Sequence, residues 1–291
     1  MRIDAHCHTD CSDGALTIEE RIAMIKACGY DAATITDHDF ISTAQVQRAI
    51  AACDGLPFVP GIEFSLRHEG KVVHLLGYFV NPENSELQNY LAEVQSVDKD
   101  LTGRLLVHFQ GKGADFQIDD LLSSSLHTFY SLQLVKRIAR DLFQNDPQNC
   151  MPAFLNAMKQ LGFSYADLAP WEVSKAIDLI HSAGGIAVLA HPGGREDKAM
   201  VSLGFLVHEE RHIAQYVDWG LDGLEVSTPV HTRDEKDFYQ QSGAKYHLFA
   251  SAGSDCHGDD PYLGPALMGK FTDIANDSYE QLLSCYNNKK Y

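Results

Sequence analysis

The sequence predicts an α/β fold of barrel type, with seven strands and a helical insertion. Three observations point there. Short β-rich runs alternate with amphipathic stretches over most of the chain. Clusters of histidine and carboxylate fall just after the apolar runs, where the strand ends of an α/β barrel converge on one face. Between about Asp98 and Ala169 the rhythm changes to helices and loops with no convincing buried strand. The expected organisation is a barrel built from residues 1–97 and 170–291, with residues 98–169 as an inserted helical domain.

In chain order, the first β-rich run is Ile3 to His6. A helix follows, opened by the capping-box pattern Thr17-Ile18-Glu19-Glu20 and closed near Gly29, and Ala33 to Thr36 completes a βαβ unit. Phe58 to Ile62 and Val72 to Gly77 are the next strands. The Glu69-Gly70 turn between Ser65-Leu66-Arg67 and Lys71-Val72-Val73 reads as a hairpin. Ile186 to Ala190, Gly223 to Val226 and His247 to Ser251 supply the last three strands. Helical patterns cover Thr43 to Ala52, Trp171 to Ala183, His208 to Trp219 and Thr232 to Ser242, and within the insertion Leu132 to Phe143 and Met151 to Leu161.

With 291 residues and 45% apolar content, the chain can bury a full core without covalent staples. Its seven cysteines are scattered without paired spacing, which argues against a disulfide framework and for a reducing, cytoplasmic setting. Neither a signal peptide nor an apolar stretch of spanning length is present, so no membrane partner is expected. The net charge of −17 disfavours a long electropositive groove for duplex DNA, because such binding rests on neutralising many phosphates. A small phosphorylated substrate, a nucleotide or a short single-stranded RNA remains compatible, since bound divalent ions would reverse the local charge.

The chemistry lies in the clusters. His6-Cys7-His8 follows the first run, Asp37-His38-Asp39 the second and Glu63 the third; His74 lies in or near the end of the fourth, His191 follows the fifth, and Asp255-Cys256-His257 follows the last. On an extended segment, side chains two apart share a face, so His6 and His8 point together, and Asp255 and His257 do the same if their backbone is extended. Imidazole with carboxylate suits zinc, manganese or iron, a carboxylate such as Glu63 can bridge two ions, and hydrolysis is the reaction implied. Cys7 and Cys256 should face away and pack as small hydrophobes. Cys11, whose loop borders the site, is read as a packed thiol rather than a ligand. Asp37 and Asp39 are expected to orient histidine rather than ligate. Glu225, at a strand end, admits two readings, an orienting carboxylate or an ordinary polar strand terminus. His68, His108, His127, His181, His208, His212 and His247 have no motif context and are expected at the surface or as satisfied core residues.

These residues carry a resemblance. His6-x-His8 with Ser12-Asp13-Gly14, Thr36-Asp37-His38-Asp39, Gly61-x-Glu63, His74, Ala190-His191-Pro192-Gly193 and Gly253-Ser254-Asp255-x-His257 look like the polymerase and histidinol phosphatase (PHP) family, in the family's motif order and over most of the chain outside the insertion. The resemblance implies a distorted seven-stranded (β/α) barrel holding two or three divalent ions. His6, His8, Glu63 and Asp255 would hold one, Glu63, His74 and His191 a second, and Asp13, His38 and His257 a third. Many members carry histidine where this chain has Asp13. An oxygen ligand there tilts the third site toward manganese or magnesium, so manganese is favoured among Mn, Zn, Fe and Mg.

Within the family, the insertion and the Ser-Asp-Gly motif look most like the enzymes of nucleoside 3′,5′-bisphosphates and of RNA 5′ ends. Relatives of that group place an Arg-x-His pair early in an insertion helix; here the stretch is Ser131-Leu132-Gln133, leaving Lys136, Arg137 or Arg195 to contact phosphate. Phe129 and Tyr130 read as core residues that could instead stack on a base. The expected mechanism is in-line attack on phosphorus by a metal-activated hydroxide, with Asp13, His38, Glu63 and His191 at its centre. Arg195 would bind phosphate, and His231 would bind substrate or protonate the leaving group. The alternatives are a histidinol phosphatase or other small-molecule phosphatase, hydrolysis of amides or amines, and a non-catalytic interaction module. Oligomeric state is left open.

Overall fold

The computed structural model describes residues 1–121, 129–259 and 266–289. Six strands form one curled sheet in the order β1 to β6: Ala33–Ile35, Phe58–His68, Lys71–Tyr78, Ile186–Leu189, Gly223–Ser227 and Phe249–Ala252. β3 runs antiparallel to β2 and β4, and the other neighbouring pairs are parallel. The β2–β3 hairpin turns through Glu69 and Gly70, both in the left-handed region, which gives the twist that paired strands need.

The expected first strand is absent among the described residues. Ile3 to His6 is irregular, and the seventh stave is formed instead by single backbone bonds from this segment to both edges of the sheet. Ala5 N–H donates to Ala252 C=O at 3.2 Å, His8 N–H to Cys256 C=O at 3.1 Å, and Thr36 N–H to Cys7 C=O at 2.9 Å. These bonds close the curl while leaving the segment free of strand register. The backbone of His6 and His8 is thereby held by the two strands whose ends carry His38 and Asp255.

Helices cover the outside. α1 (Ile18–Ala27) has the expected capping box, with Thr17 and Glu20 each satisfying the other's backbone N–H. α2 (Thr43–Cys53) links β1 to β2 and is capped by Ser42. α3 (Ser85–Gln110) is a 26-residue helix that crosses the expected boundary at 97/98 without a break. Leu87, Tyr90 and Val94 on its first half pack into the central core with Phe64, Ile177 and Leu189. Leu101, Leu105 and Phe109 on its second half enter a separate apolar cluster with α4 (Tyr130–Phe143) and α5 (Pro147–Gln160). One helix thus serves two cores, and the insertion is anchored by continuous backbone. Asp98 sits at the changeover, buried, and caps α4 by accepting Tyr130 N–H at 2.6 Å and Ser131 N–H at 3.2 Å.

α6 (Val173–Ser182) leads into β4, α7 (Lys198–Leu203) follows it, α8 (Glu210–Asp218) precedes β5, α9 (Arg233–Tyr246) links β5 to β6, and α10 (Ser278–Lys289) ends the described chain. α7 and α10 had no clear apolar period in the sequence. No helix among the described residues is long and apolar enough to cross a membrane. The seven cysteines, all described, form no disulfide.

Candidate metal centre

Nine side chains from separate loops and strands meet at the mouth of the curled sheet. His6 and His8 come from the irregular first segment, Asp13 from the loop before α1, His38 from the turn after β1, Glu63 and His74 from β2 and β3, His191 from the turn after β4, and Asp255 and His257 from the loop after β6. His191 and Asp255 are held at positive φ, 25° and 50°, a strained geometry that persists only where surrounding bonds fix it.

Glu63 is the hub. Its Oε2 lies 2.9 Å from His6 Nε2, 3.2 Å from His8 Nε2 and 3.3 Å from His38 Nδ1, while its Oε1 lies 2.9 Å from His74 Nδ1 and 3.0 Å from His191 Nε2. Asp255 Oδ1 approaches His8 Nε2 at 3.1 Å and His6 Nε2 at 3.4 Å. Asp13 Oδ2 is 3.1 Å from His257 Nε2 and 3.6 Å from His38 Nε2, and its Oδ1 is 3.5 Å from His8 Nδ1. Three groups converge closely enough to share an ion: His6, His8, Glu63 and Asp255; His8, Asp13, His38 and His257; and His38, Glu63 and His74. The first is the expected set. In the second His8 joins the expected trio, and in the third His38 stands where His191 was expected, although His191 Nε2 also lies 3.3 Å from His74 Nδ1.

The donor set fits divalent cations. Glu63 is fully buried, Asp13 and Asp255 largely so, and their charges are balanced by imidazoles alone; no lysine or arginine pairs with them among the described residues. His8 Nδ1 and His38 Nδ1 are buried without a well-formed hydrogen bond, facing Asp13 Oδ1 at 3.5 Å and Glu63 Oε2 at 3.3 Å, the arrangement of donor atoms turned toward a shared cation rather than toward each other. Burial opposes charge at His8, His38, Glu63 and Asp255, and whether neighbouring opposite charge overcomes it differs among them. His8 is raised to about 10 because Asp13, Asp255 and Glu63 more than offset its burial, whereas burial wins at His38 and drives it to about 3. Glu63 and Asp255 are held well below the usual carboxylate range against burial, by His38, His6 and His74 for the first and by His6, His257 and His8 for the second.

Two glycines permit the close approach of these loops. A Cβ at Gly14 would lie 2.7 Å from the His8 carbonyl, and one at Gly253 would lie 2.3 Å from His6 Cβ. Asp37 does not orient a histidine, contrary to expectation. It accepts from Thr9 N–H and Oγ–H, Ser12 Oγ–H and Gln45 Nε2–H, all within 2.7 Å, and so fixes the loop that carries His8 to Asp13. Asp39 likewise holds Ser65 N–H and Tyr90 O–H, and burial raises it to about 7. Glu225 resolves to the orienting reading: its Oε1 is 3.1 Å from His6 Nδ1 and its Oε2 accepts His191 N–H at 2.8 Å. Cys7, Cys11 and Cys256 pack in an apolar cluster, burial pushes the Cys11 thiol up to about 12, and Cys11 belongs to none of the three groups that converge on an ion among the described residues.

His231 has a different role from the one expected. Its Nδ1 faces the Val226 carbonyl at 2.9 Å and must carry the hydrogen, while Nε2 accepts Gly193 N–H at 3.0 Å. One nitrogen holds the His191 loop at Gly193 and the other holds β5 at Val226, which leaves none to bind substrate or protonate a leaving group. Arg195 is exposed in a groove beside Glu235, which accepts its backbone N–H at 3.1 Å. Arg137 pairs with Asp141 and stacks on Phe116. Phe129 borders a groove with Phe40 and Asp39, and Tyr130 carries Lys99 over its ring.

Two residues were missed in the sequence. Arg21 is fully buried and braces two ligand loops from below, donating to the His8 and Cys256 carbonyls at 2.9 Å each. Its signal was an arginine on the apolar face of α1, among Ile18, Ile22 and Ile25. Tyr165, from the insertion, sits close enough to the centre that Asp13 and Glu63 add to burial in raising its phenol. Of the histidines without motif context, His181 pairs with Asp222 and His247 ends α9 in the left-handed conformation. His68 and His208 are buried with no hydrogen bond at Nε2 among the described residues, His212 Nε2 has only Glu69 Oε2 at 3.5 Å, and His108 Nε2 likewise lacks a hydrogen bond. His127 lies outside the described residues.

Residues 4–102 match the PHP domain family. A 5′-3′ exoribonuclease of Haemophilus influenzae is 28% identical over 266 residues, 88% of this chain and 90% of that protein. A 3′,5′-nucleoside bisphosphate phosphatase of Chromobacterium violaceum is 27% identical over 258 residues, 88% and 87% of the two chains. The crystal structure of a Bifidobacterium adolescentis protein, provisionally described as a metal-dependent phosphoesterase, superposes with a TM-score of 0.78 at 22% identity, covering 97% of this chain and 96% of that one.

Proposed function

We propose that this chain, a member of the PHP domain family, is a metal-dependent phosphoesterase that hydrolyses nucleoside 3′,5′-bisphosphates or short RNA from its 5′ end. The observation that carries this reading is the hub at Glu63, where one buried carboxylate draws five imidazoles within 3.3 Å. The names of the similar nuclease and phosphatase support the substrate class. In this reading two or three divalent ions are held by His6, His8, Asp13, His38, Glu63, His74, His191, Asp255 and His257, with manganese favoured by the oxygen of Asp13. Bound there, they supply Lewis acidity toward phosphoryl oxygens and lower the pKa of water.

The remaining work belongs to the protein. His6 and Glu63 are wholly enclosed, whereas Asp13, His38, His257 and Asp255 expose between 13% and 24% of their side chains, so substrate arrives on that side. Tyr165, near enough to feel the charges of Asp13 and Glu63, keeps its proton at neutral pH and is a candidate donor to a phosphoryl oxygen. Arg195 is the exposed cation offered for a second phosphate contact. Residues 98–169 are read as the inserted helical domain, joined to the barrel through α3. A cytoplasmic site of action suits seven cysteines without a disulfide, and the charge of −17 speaks against duplex DNA as substrate.

The test is product analysis of the manganese-supplemented protein on a nucleoside 3′,5′-bisphosphate beside 5′-phosphorylated oligoribonucleotides of increasing length. Release of phosphate or mononucleotide is expected. Falling activity with length identifies the small-nucleotide enzyme, and no release from any of these substrates sinks the reading.

A further inference from the structure

We infer that Glu225 sets the tautomer of His6 and the pose of His191 together, and that an isosteric glutamine there disables the centre as fully as alanine does. The inference rests on the metal-centre reading above. Glu225 lies on β5, with Leu224 and Val226 on either side turned into apolar clusters, so its own side chain points into the curl of the sheet. It is fully buried. Its Oε1 meets His6 Nδ1 at 3.1 Å and its Oε2 accepts His191 N–H at 2.8 Å. Gly253 lets this carboxylate in, since a Cβ there would stand 2.6 Å from Glu225 Oε1.

The chemistry of the two partners is unequal. The His191 backbone N–H can only donate, and its φ of 25° depends on being held. His6 can present Nδ1 either as N–H or as lone pair. A carboxylate accepts on both oxygens, so it takes His191 N–H on one and Nδ1–H on the other. The lone pair of neutral His6 is then left on Nε2, the atom 2.9 Å from Glu63 and 3.4 Å from Asp255. Glutamine has a single acceptor oxygen. The fixed N–H of His191 claims it, the amide NH2 turns to His6, and Nδ1 must accept. The ring proton then moves to Nε2, pointing into the centre where an ion would bind. A residue that merely fills space would tolerate glutamine; one that assigns a proton would not.

The test compares the native protein, Glu225→Gln and Glu225→Ala in zinc and manganese uptake by calorimetry and elemental analysis. It adds 15N shifts of the histidine rings in the zinc-loaded state. Glu225→Gln is expected to lose about 10- to 100-fold in affinity at one site, as alanine does. The site made by His8, Asp13, His38 and His257 should still bind. In the native protein the His6 proton should be on Nδ1, and in the glutamine variant on Nε2. Melting of the chelator-stripped glutamine variant should stay within about 2 °C of the equally stripped native protein, separating this loss from misfolding. Native-like uptake and an unchanged His6 tautomer in Glu225→Gln overturn the inference. Failure of the native protein to take up metal would sink the metal-centre reading instead.

Discussion

Two clusters of buried histidine among the described residues behave in opposite ways. At the mouth, six imidazoles surround Asp13, Glu63 and Asp255, and His6 and His8 are raised well above their ordinary value. Beside the β2–β3 hairpin, His68, His208 and His212 gather around Tyr216 and Trp219, with ring centroids 5.3 to 6.0 Å apart. Their nearest carboxylate is the partly exposed Glu69, 3.5 Å from His212 Nε2. There burial acts almost unopposed and pushes His208 down to about 3. His208 Nδ1 faces the Pro192 carbonyl, and His212 Nδ1 accepts Glu209 N–H, so the rings are fixed by backbone and their Nε2 atoms do not converge on an ion. Enclosed carboxylate, more than the number of histidines, separates a cation cage from a packed core.

The sharpest way to break this contrast is substitution on each side of it. His8→Ala or Asp255→Ala should lower kcat/KM on the bisphosphate by roughly 10³-fold or more, on the order of 4 kcal/mol of transition-state stabilisation. His212→Ala should leave it within about threefold. Equal losses at both clusters would erase the distinction. Next in size is metal removal. Three enclosed carboxylates make the native state a metal sink, so a ligand at about 100 times its Kd should add about 2.7 kcal/mol per site, and chelation should lower Tm by about 5 to 10 °C in calorimetry. No change in Tm would mean that the centre does not bind the ion tested.

The second cluster makes a pH prediction. His208 is neutral when folded and, having a lowered pKa, binds its proton only in the unfolded chain as pH falls below about 6.5. Its stabilising contribution is present above that value and lost progressively toward pH 3. By pH 5 the native protein should have lost about 2 kcal/mol through this group relative to His208→Asn, measured by urea unfolding at both pH values. Identical pH slopes would show that His208 is solvated. The smallest expected effect compares two buried tyrosines. Tyr216 O–H has no hydrogen-bond partner among the described residues, so Tyr216→Phe should be neutral or stabilising by up to ~1 kcal/mol, whereas Tyr90→Phe should cost about 1 to 2 kcal/mol because its O–H reaches Asp39 at 2.6 Å.

Much of this was legible along the chain. The capping box of α1, the Glu69-Gly70 hairpin and the alternation of strands with helices are local patterns, and local backbone physics enforces them wherever the chain folds. Eight of the nine candidate ligands were legible because they stand at or just after apolar runs, and strand ends in such a sheet must meet; Asp13, in a polar loop, was legible only through the family resemblance. α3 was not, because its two halves face different cores and no single apolar stripe runs its length. The irregular first stave was not, because Ile3 to His6 has strand composition but its bonds are divided between two neighbours.

The sequence by itself determined which residue types stand at the strand ends, and hence that imidazole and carboxylate would share one cage. Tertiary structure alone decided which nitrogen faces which oxygen. His231 and Glu225 both looked like polar residues near a strand end, yet one has both nitrogens tied to backbone and the other joins two ligands. A hydrogen bond depends on angle and on tenths of an ångström, and those are fixed only when distant segments pack.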